Sequence, residues 1–243
     1  MKSAASSQQS VANGVGQFER DGYQIFKSLL EPGECDLLSV ELTPLFEQQQ
    51  KSAAGKIGGL RNLLRTSWLV SRFASSAKMV SLLENLTGSL VFPVRAIFFD
   101  KNPEANWLVP WHQDLAIAVA GRIETPGYTA WSIKDGTFHV HPPREILESM
   151  VTVRLHLDDC DARNGALKVL PGTHRLGKLG ADELSKRTGG GPVVCELSKG
   201  DALLMRPLLL HASAPAENPK HRRVLHMEYA AQELPNGLKW RNS

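Results

Sequence analysis

Three histidine–x–acid triplets stand in this chain: His112-Gln-Asp114, His156-Leu-Asp158 and His226-Met-Glu228. On a strand, residues i and i+2 point the same way, so such a triplet can deliver two ligands to one side of a metal. A mononuclear non-haem iron centre needs two neutral imidazoles and one carboxylate on one face of the ion, leaving three positions open. The third ligand must come from a distant strand. With eight histidines and 25 acidic residues, chance supplies about one such triplet in a chain of this size, so some of the three are background.

No histidine follows His226 to complete a triad with Glu228. His156 and Asp158 are a real rival to His112 and Asp114. In VTVRLHLDD, Arg154, His156 and Asp158 alternate with Val153, Leu155 and Leu157, which suits a pocket wall or, more simply, the solvated face of an outer strand. His139 and His141 form another same-face pair, but Pro142 and Pro143 follow and place them in a loop. Further on, DALLMRPLLLHASAPAENPKHRRVLHMEYA reads as strand, turn, strand. His211 ends the first strand and is a candidate third ligand, and Ser213 shares its face. Arg222 opens the returning strand after a turn carrying Pro215, Asn218 and Pro219. A guanidinium held there could clamp a carboxylate bidentately, while Arg223 reads as a surface cation. Singly, His211 is more simply a hydrogen-bonded structural residue and Arg222 a surface cation; together they favour a site.

The elements that must position these groups follow from pattern. The 243 residues are 42% hydrophobic and 22% charged, which fits a globular chain and one large domain over 15–243. Residues 1–14 read as a disordered tail. A short helix end and a strand precede Pro32, which starts a helix that Pro44 should kink or divide. Residues 67–87 form a further helix, closed by Gly88. Beyond it come short β-rich runs: SLVFPVRAIFFDK, SMVTVRLHLDD, GALKVLP, PVVCELS, DALLMRP and RRVLHMEYAA. Helices followed by many short strands predict an α+β, mainly β architecture, with N-terminal helices packed on one sheet of a jelly roll. Residues 115–150 carry too many turn formers for regular structure and read as a lid, as do 178–191 and the loop at 51–62.

The net charge of +3 is too even, and the basic residues too scattered, for a nucleic-acid partner. Cys35, Cys160 and Cys195 are too few and too far apart for a disulfide framework and read as free buried thiols. The polar N-terminus lacks a secretory signal, and no apolar run approaches the ~18 residues of a membrane span. The expectation is a cytoplasmic protein with a small-molecule substrate and no membrane partner.

At this point the chain resembles the phytanoyl-CoA dioxygenase family over most of its length. The resemblance is carried by WHQDLAI at 111–117, NGALKVLPGTHRLG at 164–177, GDALLMRPLLLHAS at 200–213 and the HRRVLHMEYA strand. It implies a double-stranded β-helix with iron(II) held by His112, Asp114 and His211. It implies that Arg222, assisted by Ser213 and with Trp131 nearby, binds 2-oxoglutarate. Gln113 would face away locally or reach the substrate rim. Val224, His226 and Glu228 would line the barrel with Arg222, while Leu225, Met227 and Tyr229 pack outward under the helices. His226 would be a substrate-pocket residue or, equally well, a buried partner of Glu228. Arg95, Arg61 and Lys56 could meet an anionic group on the substrate.

The activity implied is hydroxylation of an unactivated C–H bond, consuming O2 and 2-oxoglutarate and releasing succinate and CO2. Related halogenases lack the carboxylate, so the presence of Asp114 argues for hydroxylation or a related oxidation. Two other readings use the same ligands: a catalytically silent β-barrel that binds metal or ligand, and a metal-dependent hydrolase. Zinc hydrolases favour tetrahedral sites with one open position, whereas an Arg222 clamp makes sense with a dicarboxylate.

Overall fold

Alternation along the β-rich runs builds two facing antiparallel sheets. A computed structural model describes residues 15–52, 58–187 and 189–242. The expected tail at 1–14 and Lys56 lie outside them. Helix α1 (residues 15–21) leads into β1 (Tyr23–Phe26), and α2 (Pro32–Ser52), α3 (Leu63–Thr66), α4 (Trp68–Ala74) and α5 (Ala77–Thr87) follow. After β2 (Phe92–Lys101) and β3 (Val109–His112) come β4 (Ile117–Val119), β5 (Thr129–Lys134), β6 (Thr137–His141) and α6 (Arg144–Ser149). The chain then forms β7 (Val151–His156), β8 (Leu167–Val169), α7 (Ala181–Arg187), β9 (Val193–Cys195), β10 (Ala202–Met205), β11 (His211–Ser213) and β12 (Arg222–Ala230). The major sheet has the order β1-β10-β7-β12-β2, and the minor sheet β3-β11-β8-β9. This is the double-stranded β-helix, with helices packed on one sheet.

The largest core lies between those helices and the outer face of the major sheet. Leu225, Met227 and Tyr229 of β12 join Phe98 of β2, Leu42 and Phe46 of α2, and Met79 and Leu83 of α5. Phe46 and Phe98 meet edge to face at 5.9 Å, and the Tyr229 hydroxyl donates to Ala74 O at 3.0 Å. The opposite parity of β12, starting from Arg222, therefore faces inward, as the alternation predicts. Cys35, Cys160 and Cys195 are buried free thiols.

Three expectations are corrected. Of the kink or division expected at Pro44, division does not occur: helix α2 runs through it, and Pro44 is exposed, so the carbonyl it leaves without an N–H donor lies on a solvent-facing side. Residues 67–87 form two helices, because Ser67 and Ser76 each accept a bond from the third residue on (Val70 N, 3.0 Å; Met79 N, 3.3 Å) and so cap α4 and α5. Gly88, in the left-handed conformation at φ 69°, ends α5 as expected. The stretch 115–150 is not irregular: it holds a three-stranded sheet, β4-β6-β5, and α6. Asp135 (φ 48°) and Gly136 (φ 70°) make the two-residue turn joining β5 to β6, a hairpin signal that outweighs the neighbouring turn formers and puts His139 and His141 on a strand.

Candidate metal centre

His112 and His211 arrive on neighbouring strands of the minor sheet. They are direct register partners across β3 and β11. Here the structure refines the expectation: His211 opens β11, after a separate connection from β10, rather than ending the strand that β10 begins. Asp114 lies two residues past β3, so strand alternation is not what aims it. Its N–H donates to Pro207 O at 2.9 Å, anchoring it to the loop that delivers His211. Gln113, between the ligands, turns away and is buried. Its Nε2 donates to Gly177 O (2.8 Å) and Leu208 O (2.7 Å), and its Oε1 accepts from Leu179 N (2.8 Å).

The ligand atoms of His112, Asp114 and His211 lie within 4.8 Å of one another, forming a three-residue cluster. Each imidazole has its Nδ1 against a backbone carbonyl, Pro110 O at 2.8 Å for His112 and Leu209 O at 2.9 Å for His211. Those carbonyls can only accept, so Nδ1 carries the proton and Nε2 offers a lone pair inward. Both Nε2 atoms stand 3.7 Å from an Asp114 oxygen, too long for a hydrogen bond. Asp114 Oδ2 is buried without any hydrogen-bond partner. An orphaned carboxylate oxygen beside two inward lone pairs fits a divalent cation, and two imidazoles with one carboxylate are the donors of the iron facial triad. Burial opposes ionisation of Asp114, but His211, His226, His112 and Arg95 together hold its carboxyl well below the usual range. Burial pushes His211 down to about 4, against the opposing pull of Asp114, keeping it neutral for a metal.

The triad opens on a cavity of about 220 Å³ that Arg95, Ser213, Arg222 and His226 also line. Arg222 is buried, and its Nη1 donates to Gly165 O. Ser213 Oγ accepts from Lys101 Nζ at 2.9 Å. His226 Nε2 donates to Glu228 Oε1 at 3.1 Å, and Arg95 Nη2 donates to the same oxygen. The mutual pair is thus formed, with His226 on the cavity wall and Glu228 behind it. Arg95 and Arg61 also line an adjoining space of about 320 Å³ on the other side of His112 and Asp114. Arg61 pairs there with Asp135 at 2.9 Å.

Two expected features lie elsewhere. Trp131 sits in β5, packed on a separate apolar cluster with Arg122 5.5 Å over its ring, and lines neither space. The tryptophan at the triad cavity is Trp107. His156 and Asp158 do not converge: His156 is buried, not solvated, and both its ring nitrogens lack partners. Asp158 instead receives Arg223 at 2.5 and 2.8 Å, so Arg223 is more than a surface cation. Sequence reasoning missed Lys101, which shares strand parity with Arg95 in FPVRAIFFDK, and gave Arg154 no role beyond a polar strand face.

A two-histidine, one-carboxylate centre inside a double-stranded β-helix, its His211 buried and its His112 and Asp114 half-buried, defines the class. The phytanoyl-CoA dioxygenase (PhyH) family model matches residues 18–224, and the chain belongs to that family, within the iron(II)/2-oxoglutarate oxygenase superfamily. It is 24% identical to the peroxisomal phytanoyl-CoA dioxygenase of Rattus norvegicus over 182 residues, which are 67% of this chain and 46% of that protein. The chain thus matches about half the length of that relative. AviO1 from Streptomyces viridochromogenes Tue57 has the same fold at TM-score 0.67 and 22% identity, covering 93% of this chain and 96% of its own. The epimerase SnoN from nogalamycin biosynthesis, solved with Fe3+, alpha ketoglutarate and nogalamycin RO, matches at TM-score 0.70 and 17% identity, covering 92% and 84%. The cytoplasmic expectation is withdrawn, because the named relative is a peroxisomal enzyme and a missing secretory signal does not separate those compartments. Among the described residues no helix is long and apolar enough to cross a membrane.

Proposed function

We propose that this protein is an iron(II)- and 2-oxoglutarate-dependent dioxygenase that hydroxylates an unactivated C–H bond of a small organic substrate. One observation carries the reading: the Asp114 carboxylate faces two Nε2 lone pairs, Oδ1 towards His112 and the buried, partnerless Oδ2 towards His211, in a cavity that also holds the buried Arg222 guanidinium. Bound iron(II), with 2-oxoglutarate and O2, would supply the oxidising step, and the diacid would leave as succinate and CO2.

His112 and His211 would hold the metal through Nε2 and Asp114 through a carboxylate oxygen. Arg222 would grip the remote carboxylate of 2-oxoglutarate, with the Ser213 hydroxyl beside it. Among the described residues its guanidinium forms no ion pair, and it offers a buried, unpartnered Nε. Ile97, Phe99 and Leu167 give the same cavity an apolar wall. The substrate would approach through the adjoining space, whose wall carries Lys134 and the ion-paired Arg61 and Arg95. An exposed tetrahedral zinc hydrolase has no use for a buried guanidinium in the same cavity, which favours the oxygenase.

The epimerase activity of SnoN shows that the outcome can differ on this fold, and Asp114 favours hydroxylation over halogenation. The test is an anaerobic titration of the protein with iron(II) and then 2-oxoglutarate, watched for the visible metal-to-ligand charge-transfer band. Appearance of the band, followed by succinate release from one member of a metabolite panel, is the expected result. If no band forms while zinc supports turnover, the reading is wrong.

A further inference from the structure

Three basic side chains, not one, are buried around the triad cavity. Arg222, Arg154 and Lys101 all line it, each less than a tenth exposed, and Asp114 is the one acid among the described residues lining it. Among the described residues Lys101 Nζ pairs with no acid: it donates to Ser213 Oγ at 2.9 Å and Ala214 O at 3.0 Å and lies 5.5 Å from the Trp107 ring centroid. Arg154 is the least satisfied. Its Nη1 lies 3.0 Å from His226 Nδ1, its Cζ stands 5.8 Å over the Phe99 ring, and its buried Nε has no partner.

The His226 contact does not neutralise Arg154. A guanidinium can only donate, so His226 Nδ1 accepts and Nε2 bears the proton it gives to Glu228. Glu228 is already matched by Arg95. Among the described residues the chain Arg95–Glu228–His226–Arg154 thus ends on a cation with no ion-pair partner, on the wall of the cavity that also holds Asp114. Burial and the neighbouring Arg222 press Arg154 down to about 10, which leaves it charged at neutral pH. A buried, uncompensated charge is costly unless an anion completes it.

Strand register separates the two guanidinia. On β12, Arg222 pairs with Lys101 of β2, and His226, four residues on, pairs with Arg154 of β7. At roughly 3.3 Å per residue their backbones are about 13 Å apart along the sheet. Arg154 bears on Asp114 and His211 and Arg222 on Asp100, while both bear on Lys101, His156 and Cys160.

We propose that Arg154 is a second anion-binding residue of the cosubstrate site, contacting the carboxylate at the metal end of the 2-oxo acid while Arg222 takes the remote one. This rests on the cosubstrate reading above. It assigns Arg154 a ligand common to every 2-oxo acid and Arg222 a ligand that only a diacid has.

The test titrates the iron(II)-loaded protein anaerobically with 2-oxoglutarate and, separately, with the monoacid 2-oxobutanoate, reading the charge-transfer band and binding heat. Arg154→Gln is expected to weaken both acids by the same factor, about 10- to 100-fold, with metal affinity unchanged. Arg222→Gln should weaken only the diacid. Arg154→Lys, which keeps the charge, should recover part of the loss for both acids and decides the matter if Arg154→Gln does not fold. Wild-type affinity for both acids in either Arg154 variant, or a loss confined to the diacid, overturns the proposal. Failure of the wild-type protein to bind either acid would instead defeat the cosubstrate reading beneath it.

Discussion

His112 and His211 are register partners on antiparallel strands, their ring centroids 4.1 Å apart and each Nδ1 fixed by the carbonyl two residues before it. The same i to i−2 contact on both strands gives both rings one tautomer without help from a metal. The site is therefore organised before an ion arrives, and loss of either ring removes a preformed ligand. His112→Ala and His211→Ala are each expected to lower iron(II) affinity by more than ~100-fold, beyond the usual cost of disturbing an outer partner. His156→Leu should leave it within about twofold of wild type. Anaerobic calorimetric titration distinguishes the two outcomes. The reverse ranking would mean that the ligand set is misassigned.

Gln113 holds the site from behind. Its three bonds tie the end of β3 to Gly177, Leu179 and Leu208, so the segment that begins α7's approach and the loop before His211 share one amide. Gln113→Leu keeps the volume and strands three backbone groups in a buried setting. A loss of about 3 kcal/mol in urea unfolding is expected, with metal affinity reduced roughly tenfold because Asp114 is adjacent. A variant as stable as wild type, with unchanged metal affinity, would show that the clamp is dispensable.

Much of this arrangement is legible from local pattern. The parity of β12 follows from alternation, because an inward Arg222 forces Val224, His226 and Glu228 inward and Leu225, Met227 and Tyr229 under the helices. The triad is legible as three residues, though not as a geometry. Asp114 lies beyond its strand, and only the Pro207 contact shows how it is aimed. His156 was indistinguishable from a solvated strand residue, since burial depends on what the minor sheet places opposite it. Lys101 was hidden because a lysine at the end of an apolar strand normally snorkels to water. Trp131 and Trp107 carry no periodic signal that ranks one above the other. Tertiary packing decides.

His156 makes acid stability a test of its burial. Burial, aided by Arg154 and Arg222, pushes its imidazole down to about 3 from an ordinary value near 6.5. Between those values the unfolded chain binds the extra proton and the folded one does not, so stability falls as pH falls through that window. The His156 share of the loss between pH 6 and 4 is about 2 kcal/mol. His139 and His211, both near 4, add losses of the same sign. His156→Leu should flatten the pH dependence of the urea midpoint without abolishing it. It should be no less stable at pH 7, because it removes two unsatisfied ring nitrogens. An unchanged acid slope would place His156 in contact with water.

Lys101 predicts a proton uptake. Burial, then the fields of Arg222 and Arg154, press its ammonium to about 7, so a share of the protein holds it neutral at physiological pH. An anion entering the cavity adds the opposite field and favours the charged form, so Lys101 must bind a proton as the anion binds. The sign follows from linkage. Affinity is greatest below pH 7 and weakens as pH rises above it, by at most tenfold per unit, until the pKa of the occupied state is passed. The dissociation constant for 2-oxoglutarate should therefore be about tenfold weaker at pH 8.5 than at pH 6.5. Calorimetry at pH 8 in buffers of different ionisation enthalpy should show uptake of a fraction of a proton. Lys101→Met should bind the diacid more weakly at every pH, with a flat profile and no buffer dependence. Its Ser213 hydroxyl loses only a donor, and Trp107 can pack against the thioether. Equal affinities at the two pH values with Lys101 in place would mean that the lysine is charged in the empty cavity as well, and that its neutral partners suffice to hold it so.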